Sequence, residues 1–288
     1  MGQKQEELWA KSLGGNNTDN EMGHGVAHLL SGLFRFLCKV VFRYEVKNIE
    51  NIRGFIGKEH GAVLIGPHTS YLDPVFMFIA VRPQQWVHLI GKENLFSAAH
   101  GLLGWIVSRV GAIPVKRDSA DRAMVKNASR MLKNGELVAI FPEGTRRGKG
   151  DVSCNLHGGA ALIARMGKAP LIPVGLTNVS LVKEKGKRLR LPKITVTFGK
   201  PIDLSEFDFL PKDERLDGCV WYVMRQSFAL TYGCAPEEVN MVELFPENKD
   251  YTKVFEEHLI NTVDMDSLPT YQEAQARKKA KKEAKDIQ

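Results

Sequence analysis

Short apolar runs alternate with helix-length stretches through the middle of the chain, and this alternation predicts an α/β fold: a single mixed or parallel sheet flanked by helices. The candidate strands are residues 44–46, 62–66, 86–91, 112–115, 137–141, 171–176 and 194–198. Residues 119–133, stopped by Asn134-Gly135, give the clearest predicted helix; residues 74–81 give an apolar one, and 213–232 a later one ending before Gly233. Ahead of the first strand, Val26, Leu29, Leu30, Leu33, Phe34, Leu37, Val40 and Val41 recur at helical spacing, with His28, Ser31, Arg35 and Lys39 on the other side. Arg35 and Lys39 interrupt this stretch before it reaches the ~18 uncharged apolar residues of a spanning helix, so it is expected to lie on a membrane surface. The expected organisation is a polar segment 1–22, an amphipathic interfacial helix 23–43, one domain 44–269 with a C-terminal helical extension, and a basic tail 270–288. The first of these segments does not resemble a secretory signal, and no internal repeat is evident.

Length and composition are those of a globular enzyme-sized chain, with 288 residues, 43% hydrophobic and 25% charged. Charge changes the picture more. The net of +7 is local: residues 183–193 hold six basic side chains against Glu184, and residues 277–285 hold six against Glu283, so these two runs carry more positive charge than the whole chain. Such runs suit an anionic membrane surface or a polyphosphate ligand, and equally a solvated loop or tail. They lack interleaved aromatics, which argues against nucleic acid. Cys38, Cys154, Cys219 and Cys234 have no Cys-x-x-Cys spacing and read as separate thiols, with neither a zinc site nor a disulfide framework implied.

The candidate chemistry begins at His68, which precedes Asp73 by five residues in a turn between the strand 62–66 and the helix 74–81. A neutral imidazole can take a proton from a hydroxyl near neutral pH, and a carboxylate can fix its tautomer. Asp73 stands directly before Pro74, the pattern of a helix N-cap, and it is expected to serve the helix and the imidazole together. No Gly-x-Ser-x-Gly elbow occurs, so the activated hydroxyl is expected to come from the substrate. Two basic clusters, Lys116-Arg117 and Arg146-Arg147, follow candidate strands, where open α/β sheets bind ligands and guanidinium forks match phosphate. Glu143 is placed to orient one of these arginines. Gly144-Thr-Arg-Arg-Gly-Lys-Gly150 has three residues between its first two glycines where a Walker loop needs four, and it ends in Gly rather than Ser or Thr. His24 and His28 are four apart but lack an obvious third metal ligand. No metal is therefore expected.

Four ordered blocks resemble the glycerolipid acyltransferase family, specifically the 1-acyl-glycerol-3-phosphate acyltransferases. They are His68-Thr-Ser-Tyr-Leu-Asp73, Gly111-Ala-Ile-Pro-Val-Lys-Arg117, Phe141-Pro-Glu-Gly-Thr-Arg146 and Leu171-Ile-Pro-Val174. The resemblance covers residues 26–201 and departs from the family pattern at Pro67, often Asn, and at His157, often Lys. It implies that a fatty acyl group moves from acyl-CoA or acyl carrier protein, as substrate and not cofactor, to the hydroxyl of lysophosphatidic acid, giving phosphatidic acid. His68 and Asp73 would be catalytic, and Lys116, Arg117, Glu143, Gly144, Thr145 and Arg146 would hold the substrate phosphate. The family often carries a membrane-binding helix before the first block, which favours the interfacial reading of 23–43, and the chain is expected on the cytoplasmic face of a membrane as a monotopic or peripheral protein. Other phosphorylated acceptors would use the same motifs, and a non-catalytic basic lipid-binding scaffold is the alternative of a different class.

Overall fold

A computed structural model describes residues 24–82, 85–92, 95, 107, 110–115, 122–147, 154–183 and 186–286. All seven expected strands form, at Glu45–Lys47 (β1), Val63–Ile65 (β2), Val87–Lys92 (β3), Ile113–Val115 (β4), Leu137–Ile140 (β5), Leu171–Thr177 (β6) and Thr195–Phe198 (β7). They make one sheet in the order β1-β7-β6-β2-β5-β3-β4. The strands from β6 to β4 are mutually parallel; β7 is antiparallel to β6, and β1 runs with β7. The sheet is therefore mixed, with a parallel unit at its centre.

Helices cover both faces, which is why the central strands are uninterrupted apolar runs. They are His24–Val41 (α1), Asp73–Val81 (α2), Arg122–Lys133 (α3), Gly159–Gly167 (α4), Arg215–Tyr232 (α5) and Tyr271–Asp286 (α6), with short helical turns between α5 and α6. Side chains alternate across the sheet: Val63 and Ile65 join the core built with α3, α4 and α5, while Leu64 joins the core built with α2 and Cys38 of α1. Helix α3 ends where Gly135 turns at φ +83°, as Asn134-Gly135 leads one to expect. Helix α4 is not among the helices named from the sequence; Ala160, Ala161, Ile163 and Ala164 present its buried face. Helix α5 crosses β6 so closely that a Cβ on Gly175 would lie 2.7 Å from the carbonyl carbon of Leu230. Also on α5, the buried hydroxyl of Ser227 donates to the carbonyl of Ile65 at 2.9 Å, fastening the helix to the last residue of β2.

Helix α1 is docked by its polar edge. Ser31 and Cys38 are buried, and Arg35 donates from Nη1 to the carbonyl of Arg82 at 2.9 Å. Its apolar face is left bare, with Leu29 73%, Leu33 57% and Val40 65% exposed. Burying a side chain of this size is worth about 1.5–3 kcal/mol, so the domain leaves a large apolar stabilisation unused. Among the described residues no helix is long and apolar enough to cross a membrane. At the other end of the chain, α6 starts where Thr270 bridges Lys58 and the N–H of Tyr271 donates to the carbonyl of Gly57 at 2.9 Å. Residues 57–58 lead into β2 from its N-terminal side, so the basic helix is rooted at the sheet edge opposite His68.

Candidate active site

Strands β2 and β5 are neighbours, parallel and in register at Ile65 and Ile140. The chain leaves both at the same sheet edge, so the His68 turn and the Phe141–Arg147 segment are brought side by side although far apart in sequence. This is the carboxyl edge at which parallel sheets bind ligands.

His68 and Asp73 form the expected pair, with Nδ1 and Oδ2 3.1 Å apart. The same Oδ2 accepts the backbone N–H groups of Thr69 and Ser70, each at 2.6 Å. A carboxylate oxygen is an acceptor toward all three groups, so His68 meets it with Nδ1–H as donor and Nε2 is left to take up a proton. The Asp73 side chain is fully buried, whereas the His68 side chain retains 18% exposure. The capping expectation needs correction. Asp73 is the first residue of α2, after Leu72 in the N-cap position, and no side chain caps this helix. Pro74 contributes no N–H, and the carboxylate turns back to the two free donors of the preceding turn.

The third motif holds His68 from the other side. Its ring stacks on Phe141, with centroids 4.6 Å apart and 28° between planes. The N–H of His68 donates to Glu143 Oε2 at 2.6 Å, and its carbonyl accepts the N–H of Arg147 at 2.8 Å. Glu143 Oε1 accepts from Arg147 Nε, and Arg147 Nη2 donates to the carbonyl of Leu244 at 3.0 Å above the ring of Phe245. The Glu143 side chain is fully buried with both oxygens engaged within the chain, and the arginine it orients is Arg147. Burial pushes the Glu143 carboxyl above its ordinary value, a shift opposed by the Arg147 guanidinium and the His68 N–H.

Arg146 differs from its neighbour. Its guanidinium lies 3.8 Å from the ring centroid of Tyr71, which is in the His68–Asp73 turn and is largely exposed. Gly144 turns at φ +61°, and Gly144, Thr145 and Arg146 are all partly exposed at this edge. Strand β4 ends at Val115 on the same edge, two strands from β5; Lys116 and Arg117 lie outside the described residues. His157 is exposed, and the fourth motif is buried within β6, so its contribution is to the sheet. Among the described residues no group of three His, Cys, Asp or Glu side chains is arranged to hold a metal, and the side chains of His24 and His28 are outside them. The four cysteines are unpaired thiols, three of them buried. Sequence reading missed the roles of Phe141, Arg147 and Ser227, because a stacking ring, a clamp and a helix-to-strand hook carry no motif of their own.

Residues 43–177 match the family model described as Acyltransferase. The chain is 34% identical over 172 residues to the 1-acyl-sn-glycerol-3-phosphate acyltransferase of Bacillus subtilis, an alignment spanning 60% of this chain and 80% of that protein. The chain belongs to the acyltransferase family. A protein of the same description from Streptococcus pneumoniae is 33% identical over 150 residues, 52% of this chain and 53% of its own length. The crystal structure of the 1-acyl-sn-glycerophosphate acyltransferase of Thermotoga maritima superposes with a TM-score of 0.50 at 20% identity, covering 79% of this chain and 88% of that one, a likeness of fold. The part of the chain matched by the family model contains both β2 and β5 with the turns that follow them, so the clustered residues His68, Asp73, Phe141, Glu143, Arg146 and Arg147 lie within the matched region.

Proposed function

We propose that the chain transfers a fatty acyl group from a thioester to the hydroxyl of lysophosphatidic acid, producing phosphatidic acid for phospholipid synthesis. The observation that carries this reading is the meeting of a tautomer-fixed, partly exposed imidazole with Arg146 at one sheet edge. His68 Nε2 takes the proton of the acceptor hydroxyl as its oxygen attacks the thioester carbonyl. The new C–O ester bond forms, the C–S bond breaks, and the departing thiolate receives the proton from the imidazolium. Asp73 stabilises that imidazolium, and no acyl-enzyme is formed. Arg146, Thr145 and Gly144, with Lys116 and Arg117, hold the acceptor phosphate; a guanidinium fork suits this task better than a point charge. Acyl-CoA or acyl carrier protein supplies the thioester, and no further cofactor enters the scheme.

Both substrates carry fatty chains and partition into bilayers, so the domain works at a membrane surface with the bare face of α1 in the interface. The test of the reaction is thiol release by purified protein from acyl-CoA and from acyl carrier protein, against a panel of lysophosphatidic acid, glycerol-3-phosphate and lysophospholipids with larger head groups. Release dependent on lysophosphatidic acid is expected. Preference for another acceptor would reassign the substrate, and absence of release with every pair would leave a non-catalytic lipid-binding role.

A further inference from the structure

The connection between β6 and β7 stands over the catalytic edge. Strand β2 ends at Ile65, which pairs with Pro173, whereas β6 continues four residues further to Thr177. At roughly 3.3 Å per residue, β6 rises about 13 Å beyond the level where the chain turns toward His68. Strands β7 and β1 start from that same height, since Thr177 pairs with Thr195 and Thr195 with Glu45. The end of α1 meets the connection there: the N–H of Ile194 donates to the carbonyl of Phe42 at 3.0 Å, and Lys193 pairs with Glu45 at 2.8 Å.

Its root is packed and its tip is not. Val179 and Val182 are buried in a short helical turn. The chain then folds back, with the N–H of Arg190 donating to the carbonyl of Val182 at 3.0 Å and Lys183 Nζ to the carbonyl of Lys187 at 3.2 Å. After the turn at Gly186, where φ is +78°, Lys187-Arg-Leu-Arg-Leu191 alternates basic and apolar residues, and all five are exposed. Leu189 is 65% and Leu191 53% exposed.

We propose that this loop is a membrane contact, with Leu189 and Leu191 entering the apolar boundary of an anionic phospholipid bilayer and Lys187, Arg188 and Arg190 meeting its headgroup phosphates. This deepens the reading of the site as a lipid acyltransferase and rests on it. Charge and apolarity occur together at one tip, as an anionic interface requires and a solvated loop does not. The loop adjoins the end of the bare helix α1, and stable attachment takes two signals where one is marginal. The other basic run belongs to α6, which is rooted at the opposite sheet edge beside Lys58. Of the two basic runs, the electrostatic contact is therefore assigned to the loop.

The experiment is flotation of the full chain with vesicles of phosphatidylcholine alone and of phosphatidylcholine mixed with phosphatidylglycerol. Lys187→Gln/Arg188→Gln/Arg190→Gln is expected to lower partition onto the anionic vesicles by roughly 100-fold at low salt, three charges at a membrane surface being involved. Leu189→Ser/Leu191→Ser should lower it by roughly 10-fold or more at any salt, while deletion of 277–288 changes it less than about twofold. Turnover of short-chain, water-soluble substrates should be unchanged in each variant, which reports that the fold is intact. Loop variants that float like wild type, or release caused by the tail deletion alone, would overturn the assignment. Wild type that floats normally but turns over no substrate pair would instead sink the enzymatic reading.

Discussion

Glu143 accepts the backbone N–H of His68 at 2.6 Å across 75 positions of sequence. The same carboxylate is bound to Arg147, whose own N–H returns to the carbonyl of His68 at 2.8 Å. The imidazole is thus held by its ring through Asp73 and Phe141, and by both backbone groups through the third motif. A general base acts within hydrogen-bond reach of its proton, and small misplacements are costly.

Glu143→Gln keeps an acceptor for His68 but removes the charge opposite Arg147. Turnover should fall by roughly 10²-fold, the scale of a misplacement of about 1 Å, with KM for both substrates within about twofold. Steady-state kinetics on purified protein check this. A rise in acceptor KM at unchanged turnover would place Glu143 at the phosphate site.

The same residue sets a pH dependence of stability. Burial, its largest influence, holds the carboxyl above 4.5, so the folded chain retains a proton that the unfolded chain has released. Its contribution to stability is therefore fully present below about pH 4.5 and is lost as pH rises through the folded-state value. Urea unfolding midpoints between about pH 4 and pH 7 should fall less steeply with rising pH in Glu143→Gln than in wild type. Parallel curves would show that the Arg147 pair cancels the cost of burial.

Arg146→Ala should weaken use of the phosphorylated acceptor by about 1.5–3 kcal/mol, the range for a hydrogen bond to a charged group, and leave the acyl donor less affected. Separate KM determinations for the two substrates decide the matter. Equal losses would place Arg146 at the donor or in the fold.

Replacing Leu30, Leu33 and Leu37 with Ser should release the protein from anionic liposomes at any salt, because apolar insertion is not screened. Turnover of water-soluble substrates should persist. A folded triple variant that still floats would show that α1 does not lie in the interface.

Much of this architecture was legible in the sequence because it rests on local pattern. The seven apolar runs became the seven strands, and His68 and Asp73 meet because they stand five positions apart across the short turn between β2 and α2. The sheet order was not legible. It depends on pairings such as Ile65 with Ile140, and the adjacency of the two motifs follows only from that register. Polarity misled at one place: Arg147 resembles Arg146 in sequence, yet one is consumed by Glu143 and Leu244 while the other stacks on Tyr71. In α1 the polar edge faces the protein and the apolar face is exposed, the orientation an interfacial helix requires.

The central claim is that His68 is the base and Asp73 its partner, acting on a substrate hydroxyl. The most direct measurement is thiol release from the acyl thioester at saturating lysophosphatidic acid, by wild type, His68→Ala and Asp73→Asn, each confirmed folded by its unfolding transition. Each variant is expected to turn over roughly 10² to 10⁴ times more slowly than wild type. Wild-type turnover in either folded variant would contradict the mechanism.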